Sequence, residues 1–121
     1  TITTPRPRPE VFAYVADFTK VAEWDPGIRS SVRVAGDGGA GTRYDVGATF
    51  AGRVVPMTYE VIEYAVPSRI VLRGLAATVE AIDAISFEDL PAGGTKVTYR
   101  YRDLTGNGLP RFASFLRVRQ E

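Results

Sequence analysis

The chain contains no cysteine and no histidine. Without cysteine there is no disulfide, no thiolate nucleophile and no thiolate-bound zinc. Without histidine the commonest general base and the commonest metal ligand are both missing. Ser-His-Asp and Cys-His machinery are therefore excluded. An excess of one charge is also lacking: 15 basic and 14 acidic residues leave a formal net charge of +1. No strong field steers such a chain to nucleic acid. No apolar run approaches the roughly 20 residues of a membrane span, and no charged-then-apolar leader opens the sequence. The expectation is a cytoplasmic protein with no metal, no cofactor, no nucleic-acid partner and no stable membrane insertion. Oligomeric state is left open. The sequence begins at Thr1 without a Met, and we expect the native chain to extend beyond both ends.

What is present is apolar and aromatic material. The 121 residues are 45% hydrophobic, with six Tyr, six Phe and one Trp. That length suits one compact domain, residues 1–121, with one core. Thr1 to Thr4 read as the tail of a strand. Pro5, Pro7 and Pro9 then block sheet pairing, since Pro supplies no N–H. Pro9 suits the first turn of a helix, and Val11, Phe12, Val15 and Phe18 follow at helical spacing. A second short helix is predicted over Thr19 to Trp24, with Thr19 as N-cap. Asp25-Pro26-Gly27 ends it.

From Ile28 the period changes to two. Ile28, Ser30, Val32 and Val34 oppose Arg29, Ser31 and Arg33, and the turn Gly36 to Gly39 follows. Further strands are predicted over Thr42 to Phe50, Val54 to Tyr64, Ile70 to Gly74, Val79 to Phe87 and Thr95 to Arg102. Pro56 marks its strand as an edge or a bulge. Leu109, Phe112, Ala113 and Leu116 then recur at helical spacing, with Asn107 suited to the N-cap. A run of strands flanked by helices argues an α+β fold with an antiparallel sheet.

The block Pro7 to Gly27, PRPEVFAYVADFTKVAEWDPG, and the hairpin from Phe87 to Tyr101 resemble the START-like, polyketide cyclase/dehydrase superfamily of helix-grip proteins. The resemblance runs over nearly the whole chain. It implies a curved antiparallel sheet of about six to seven strands around a C-terminal helix, with two short helices after the first strand. It also implies an enclosed apolar cavity and a small hydrophobic ligand, lipid or polyketide-like, held by a carrier or sensor. A cofactor-free cyclase/dehydrase and a protein-interaction module are the alternatives that the same superfamily offers. The closing helix is short for this family: 14 residues follow Asn107, about 20 Å of helix. The cyclase branch uses inner-strand Ser and Arg groups that align here near Ile62 and Tyr64, which weakens a direct transfer of that activity.

Asp83 is the sharpest candidate for chemistry. It shares a strand face with Ile85 and Phe87, so the alternation turns its carboxylate inward. A carboxylate there is costly unless paired, its pKa should rise, and it could serve as a general acid or base. A structural acid held by an Arg or a Tyr hydroxyl is the competing reading. Glu60 is the second candidate acid; Glu60 and Glu63 have opposite parity, and a bulge would shift the phase of their strand. The cavity wall is assigned to Trp24, Tyr44, Phe50, Ile62, Tyr64, Leu72, Ile85, Phe87, Tyr99, Tyr101, Phe112 and Leu116. Tyr suits such a wall, with an apolar body and one hydrogen-bonding tip. Arg43 and Arg73 fall on the solvent side by parity. The stretch Gly36 to Gly41 lacks the Lys and the following helix of a phosphate loop.

Overall fold

The computed structural model describes residues 1–105, the side chain of Phe50 excepted. Seven antiparallel strands form one sheet: β1 (Ile2–Thr4), β2 (Ile28–Ala35), β3 (Arg43–Phe50), β4 (Arg53–Ala65), β5 (Arg69–Leu75), β6 (Glu80–Asp89) and β7 (Thr95–Asp103). Their order is β1-β7-β6-β5-β4-β3-β2. Two short helices, α1 (Arg8–Ala16) and a 3-10 helix (Phe18–Glu23), connect β1 to β2. The α+β expectation holds, with two short helices and a curved sheet. The helix expected after Asn107 lies outside the described residues.

Local chemistry explains the breaks. Pro9 sits in the first turn of α1, where no intrahelical N–H is needed, and Glu10 lies near the positive end of the helix. The two helices are separated by Asp17, whose backbone is extended. Asp17 Oδ1 accepts hydrogen bonds from the Thr19 N–H at 3.2 Å and from Thr19 Oγ1 at 2.6 Å. The N-cap is therefore Asp17, not Thr19, and Phe18 belongs to the 3-10 helix rather than to α1. A side-chain oxygen two residues before the N–H it satisfies is the usual capping geometry.

The core lies on one face of the sheet, under the helices. Val11, Phe12 and Val15 of α1 and Phe18 and Val21 of the 3-10 helix pack on Tyr44, Val46, Tyr59, Val61, Ile70, Leu72, Ile85, Phe87 and Val97. Alternation in β6 is regular: Ala81, Asp83, Ile85 and Phe87 are buried, and the residues between them are only partly so.

Two strands break the alternation. In β4 the pairing to β5 slips by one residue between Val61 and Glu63. Met57, Tyr59 and Val61 face the core; after the bulge Tyr64 pairs with Ile70 and returns to that face at its rim, against Phe12 and 38% exposed. Ile62 is the extra residue and is 47% exposed. In β2 the register shifts between Ile28 and Ser30. Ile28 opposes the buried Ala48, whereas Ser30 and Val32 oppose Gly47 and Asp45 on the other face. The expected common face of Ile28, Ser30 and Val32 is therefore split, because each bulge inserts a residue and inverts the parity after it. Pro56 lies in β4 beyond the Thr58–Leu75 pair that ends the contact with β5. Its missing N–H faces an open edge.

Candidate functional site

The inner face of the sheet has two chemically different ends. The first is closed by the helices and is almost entirely apolar. The Phe18 ring stands 5.6 Å from Tyr44, 5.2 Å from Tyr59 and 6.4 Å from Trp24, centroid to centroid. Phe12 stands 5.1 Å from Phe87 and 5.5 Å from Tyr64. Trp24, Tyr44, Leu72, Ile85 and Phe87, all assigned to the wall, are buried members of this packed cluster. Trp24 lies beneath the turn that Asp25 shapes by accepting the Gly27 N–H at 2.9 Å.

The second end is polar. Asp83 is 1% exposed. The Tyr99 hydroxyl donates to Asp83 Oδ2. Tyr101 sits directly opposite Asp83 on β7, and Leu72 directly opposite on β5. Tyr99 and Tyr101 are both half-buried. β6 and β7 thus bring one carboxylate and two phenols together on a face that is otherwise apolar. The period of two in each strand places them there: Asp83 two residues before Ile85, and Tyr99 and Tyr101 two and four residues after Val97. A phenol donating to a carboxylate holds the charged oxygen against desolvation. The same pair presents hydrogen-bonding atoms to a hydroxyl or carbonyl brought to that face.

Glu60 is not part of this group. It lies on the outer face of β4, between Arg43 on β3 and Arg73 on β5. Glu63 bonds Arg69 at 2.9 Å, and Arg73 faces Glu80 at 3.6 Å. These are partly exposed ion pairs of the outer face, each worth little to stability. Phe112 and Leu116 lie outside the described residues, as does the side chain of Phe50.

Tyr59 is the residue that sequence reasoning missed. It is 1% exposed and its ring crosses Gly74. A Cβ at Gly74 would lie 2.8 Å from the Tyr59 ring. An isolated glycine inside a strand was the available signal, since it marks a place where another group approaches the backbone closely.

A hollow of about 680 Å³ lies among Ser30, Val32, Asp45, Val54, Pro56 and Leu75. Asp45 and Gly47 alternate with the inward Tyr44, Val46 and Ala48, so this hollow opens on the outer face. Its walls bring together none of the residues at the Asp83 end.

A curved antiparallel sheet with two short helices inserted after its first strand defines a START-like, helix-grip protein. Comparison with known proteins agrees. The sequence matches the family described as "Polyketide cyclase / dehydrase and lipid transport" over residues 1–118, and the chain belongs to that family. The fold is similar to that of Ara h 8.0201, at a TM-score of 0.68 and 19% identity, over 94% of this chain and 80% of that one. It is also similar to DR_A0006 from Deinococcus radiodurans, at 0.62 and 25% identity, over 82% of this chain and 78% of that one. CV1439 from Chromobacterium violaceum is similar at 0.64 and 16% identity, over 88% and 78%. Among curated proteins none matches the sequence. No helix among the described residues is long and apolar enough to cross a membrane.

Proposed function

We propose that this protein binds a small hydrophobic ligand, lipid or polyketide-like, against the inner face of its sheet as a carrier or sensor. The observation that carries this reading is the Asp83–Tyr99 hydrogen bond, with Tyr101 beside it, on an otherwise apolar face. An apolar site with a few convergent polar groups is the usual form of a small-molecule pocket. The ligand that suits it carries a hydroxyl or phenol on an apolar body: the body takes the apolar wall, and the O–H reaches the carboxylate. Leu72, Ile85, Tyr99 and Tyr101 are the contacts we assign to it.

The test is native mass spectrometry of the purified protein, followed by solvent extraction of anything bound. A defined apolar molecule at near one-to-one stoichiometry supports the reading. A protein that arrives empty and takes up no hydroxylated aromatic or lipid from a panel contradicts it.

A cofactor-free cyclase/dehydrase is the second reading, favoured by the family description and by a buried carboxylate next to a phenol. Asp83 would move the proton and Tyr99 would hold the carboxylate in place. Asp83→Asn then lowers turnover about a hundredfold or more; in the carrier reading there is no turnover to lose.

A further inference from the structure

A second, smaller pocket of about 280 Å³ lies on the same face of the sheet as Asp83 but away from it, between α1 and the turn that joins β2 to β3. Its walls are Ala16, Asp17, Arg33, Asp37, Tyr44 and Tyr64, with Ala13 and Gly38 completing it. It shares no residue with the Asp83, Tyr99 and Tyr101 group, and it is much more polar than the core beside it.

The polar atoms here have unspent capacity. Tyr44 is 1% exposed, and its hydroxyl oxygen accepts from the Phe18 backbone N–H, which leaves the O–H proton to give. Arg33 makes no ion pair within the described residues. Asp17 uses Oδ1 for Thr19, and Asp37 uses Oδ1 for the Gly39 N–H at 3.0 Å. The Oδ2 of each carboxylate carries no hydrogen bond among the described residues. Asp17 and Arg33 line the pocket with the Tyr44 hydroxyl and act on it electrostatically with opposite sign. The groups therefore converge on one space rather than merely edging it. Tyr64 supplies a ring, held in place by Phe12 at 5.5 Å.

The mixture of groups decides among ligand classes. An anion such as phosphate meets two carboxylates and one guanidinium. A quaternary ammonium meets the guanidinium and has no N–H or O–H to give the carboxylates. A neutral polyol satisfies every group: its hydroxyl protons go to Asp17 and Asp37, and its oxygens accept from Arg33 and Tyr44. The C–H face of a cyclic polyol suits the Tyr64 ring. The volume falls just below the roughly 300 Å³ at which drug-sized pockets begin, which fits one ring.

We propose that this pocket is a binding site for a neutral polyhydroxylated group of about one sugar ring, separate from the hydrophobic site. It stands whether or not that site takes a hydrophobic ligand, because it uses none of Leu72, Ile85, Asp83, Tyr99 and Tyr101.

The test is an amide-resolved NMR titration of the full chain with glucose, galactose, mannose and myo-inositol, each to about 100 mM. Inorganic phosphate and tetramethylammonium serve as counter-probes. We expect at least one polyol to shift the amides of residues 13–17, 33–38 and 44 with a saturating curve in the millimolar range. Asp37→Asn, on the exposed turn, is expected to weaken that curve fivefold or more, and Tyr44→Phe to do the same. The proposal is overturned if no polyol shifts these amides, if phosphate or tetramethylammonium binds there more tightly, or if Asp37→Asn and Tyr44→Phe, both folded, leave the curve unchanged. Shifts confined to residues 81–87 and 97–103 would also overturn it, placing the polyol at the other site.

Discussion

The two ends of the inner face are built by the same alternation and carry different chemistry. At the helix end, every second residue is apolar and the rings of Phe12, Phe18, Tyr44, Tyr59 and Phe87 fill the space. At the β6–β7 end, the same inward positions carry Asp83, Tyr99 and Tyr101. The first end supplies stability through burial. The second gives some of that up, because a buried carboxylate must be held by hydrogen bonds merely to break even. A fold that holds such a group beside a well-packed core gives up stability at that end.

The largest effect separating the two ends is expected from Phe18→Ala. It removes the ring that Tyr44, Tyr59 and Trp24 share, and should cost about 3–5 kcal/mol in urea unfolding. A loss below about 1 kcal/mol would mean that the helix end is not the stabilising half. Gly74→Ala comes next. Its new Cβ runs into the Tyr59 ring, and overpacking of this kind costs about 1–3 kcal/mol. In a Tyr59→Leu background the same Gly74→Ala change should cost much less, and additive losses would show the clash is not with Tyr59.

At the other end, Tyr99→Phe should cost about 1.5–3 kcal/mol, the worth of one hydrogen bond to a charged group. A cost equal to that of Phe18→Ala would make Asp83 and Tyr99 part of the structural core. The smallest effect is confined to alkaline solution. Burial pushes the Tyr44 phenol above its ordinary 10.0, with the Asp17 carboxylate adding to the rise and the Phe18 backbone and Arg33 opposing it. The folded state thus holds the neutral phenol more firmly than the unfolded chain does. Its contribution is complete below about pH 10 and falls as pH rises through the higher folded value. Melting temperatures from about pH 9 to about pH 11 should drop less steeply in Tyr44→Phe than in the parent; parallel curves would contradict this.

Regular strands could be read from sequence and bulged strands could not. β6 alternates without interruption, so the inward placement of Asp83, Ile85 and Phe87 was visible in the spacing alone. β7 was equally clear for Tyr99 and Tyr101. In β4, one extra residue at Ile62 inverts the phase. It turns Ile62 outward and brings both Tyr59 and Tyr64 to the inner face, though Pro56 and the ambiguity around Glu60 pointed to an irregularity. In β2 the shift after Ile28 exposes Val32, which pattern alone would bury beside it. The polar pocket beneath the β2–β3 turn had no sequence signature. Its parts come from α1, β2, β3 and β4, and only the tertiary arrangement joins them.

The central claim is that Asp83, and no acid of the outer face, receives the polar end of an apolar ligand. Titration with 2-naphthol, an apolar fluorophore with a single hydroxyl, tests this directly in the parent, in Asp83→Asn and in Glu60→Gln. Loss of a hydrogen bond to a charged group is worth about 1.5–3 kcal/mol, or about tenfold to a hundredfold in affinity. The account expects Asp83→Asn to weaken 2-naphthol by at least that tenfold and Glu60→Gln to leave it unchanged. Equal affinity in all three proteins, or a loss in Glu60→Gln alone, would contradict it.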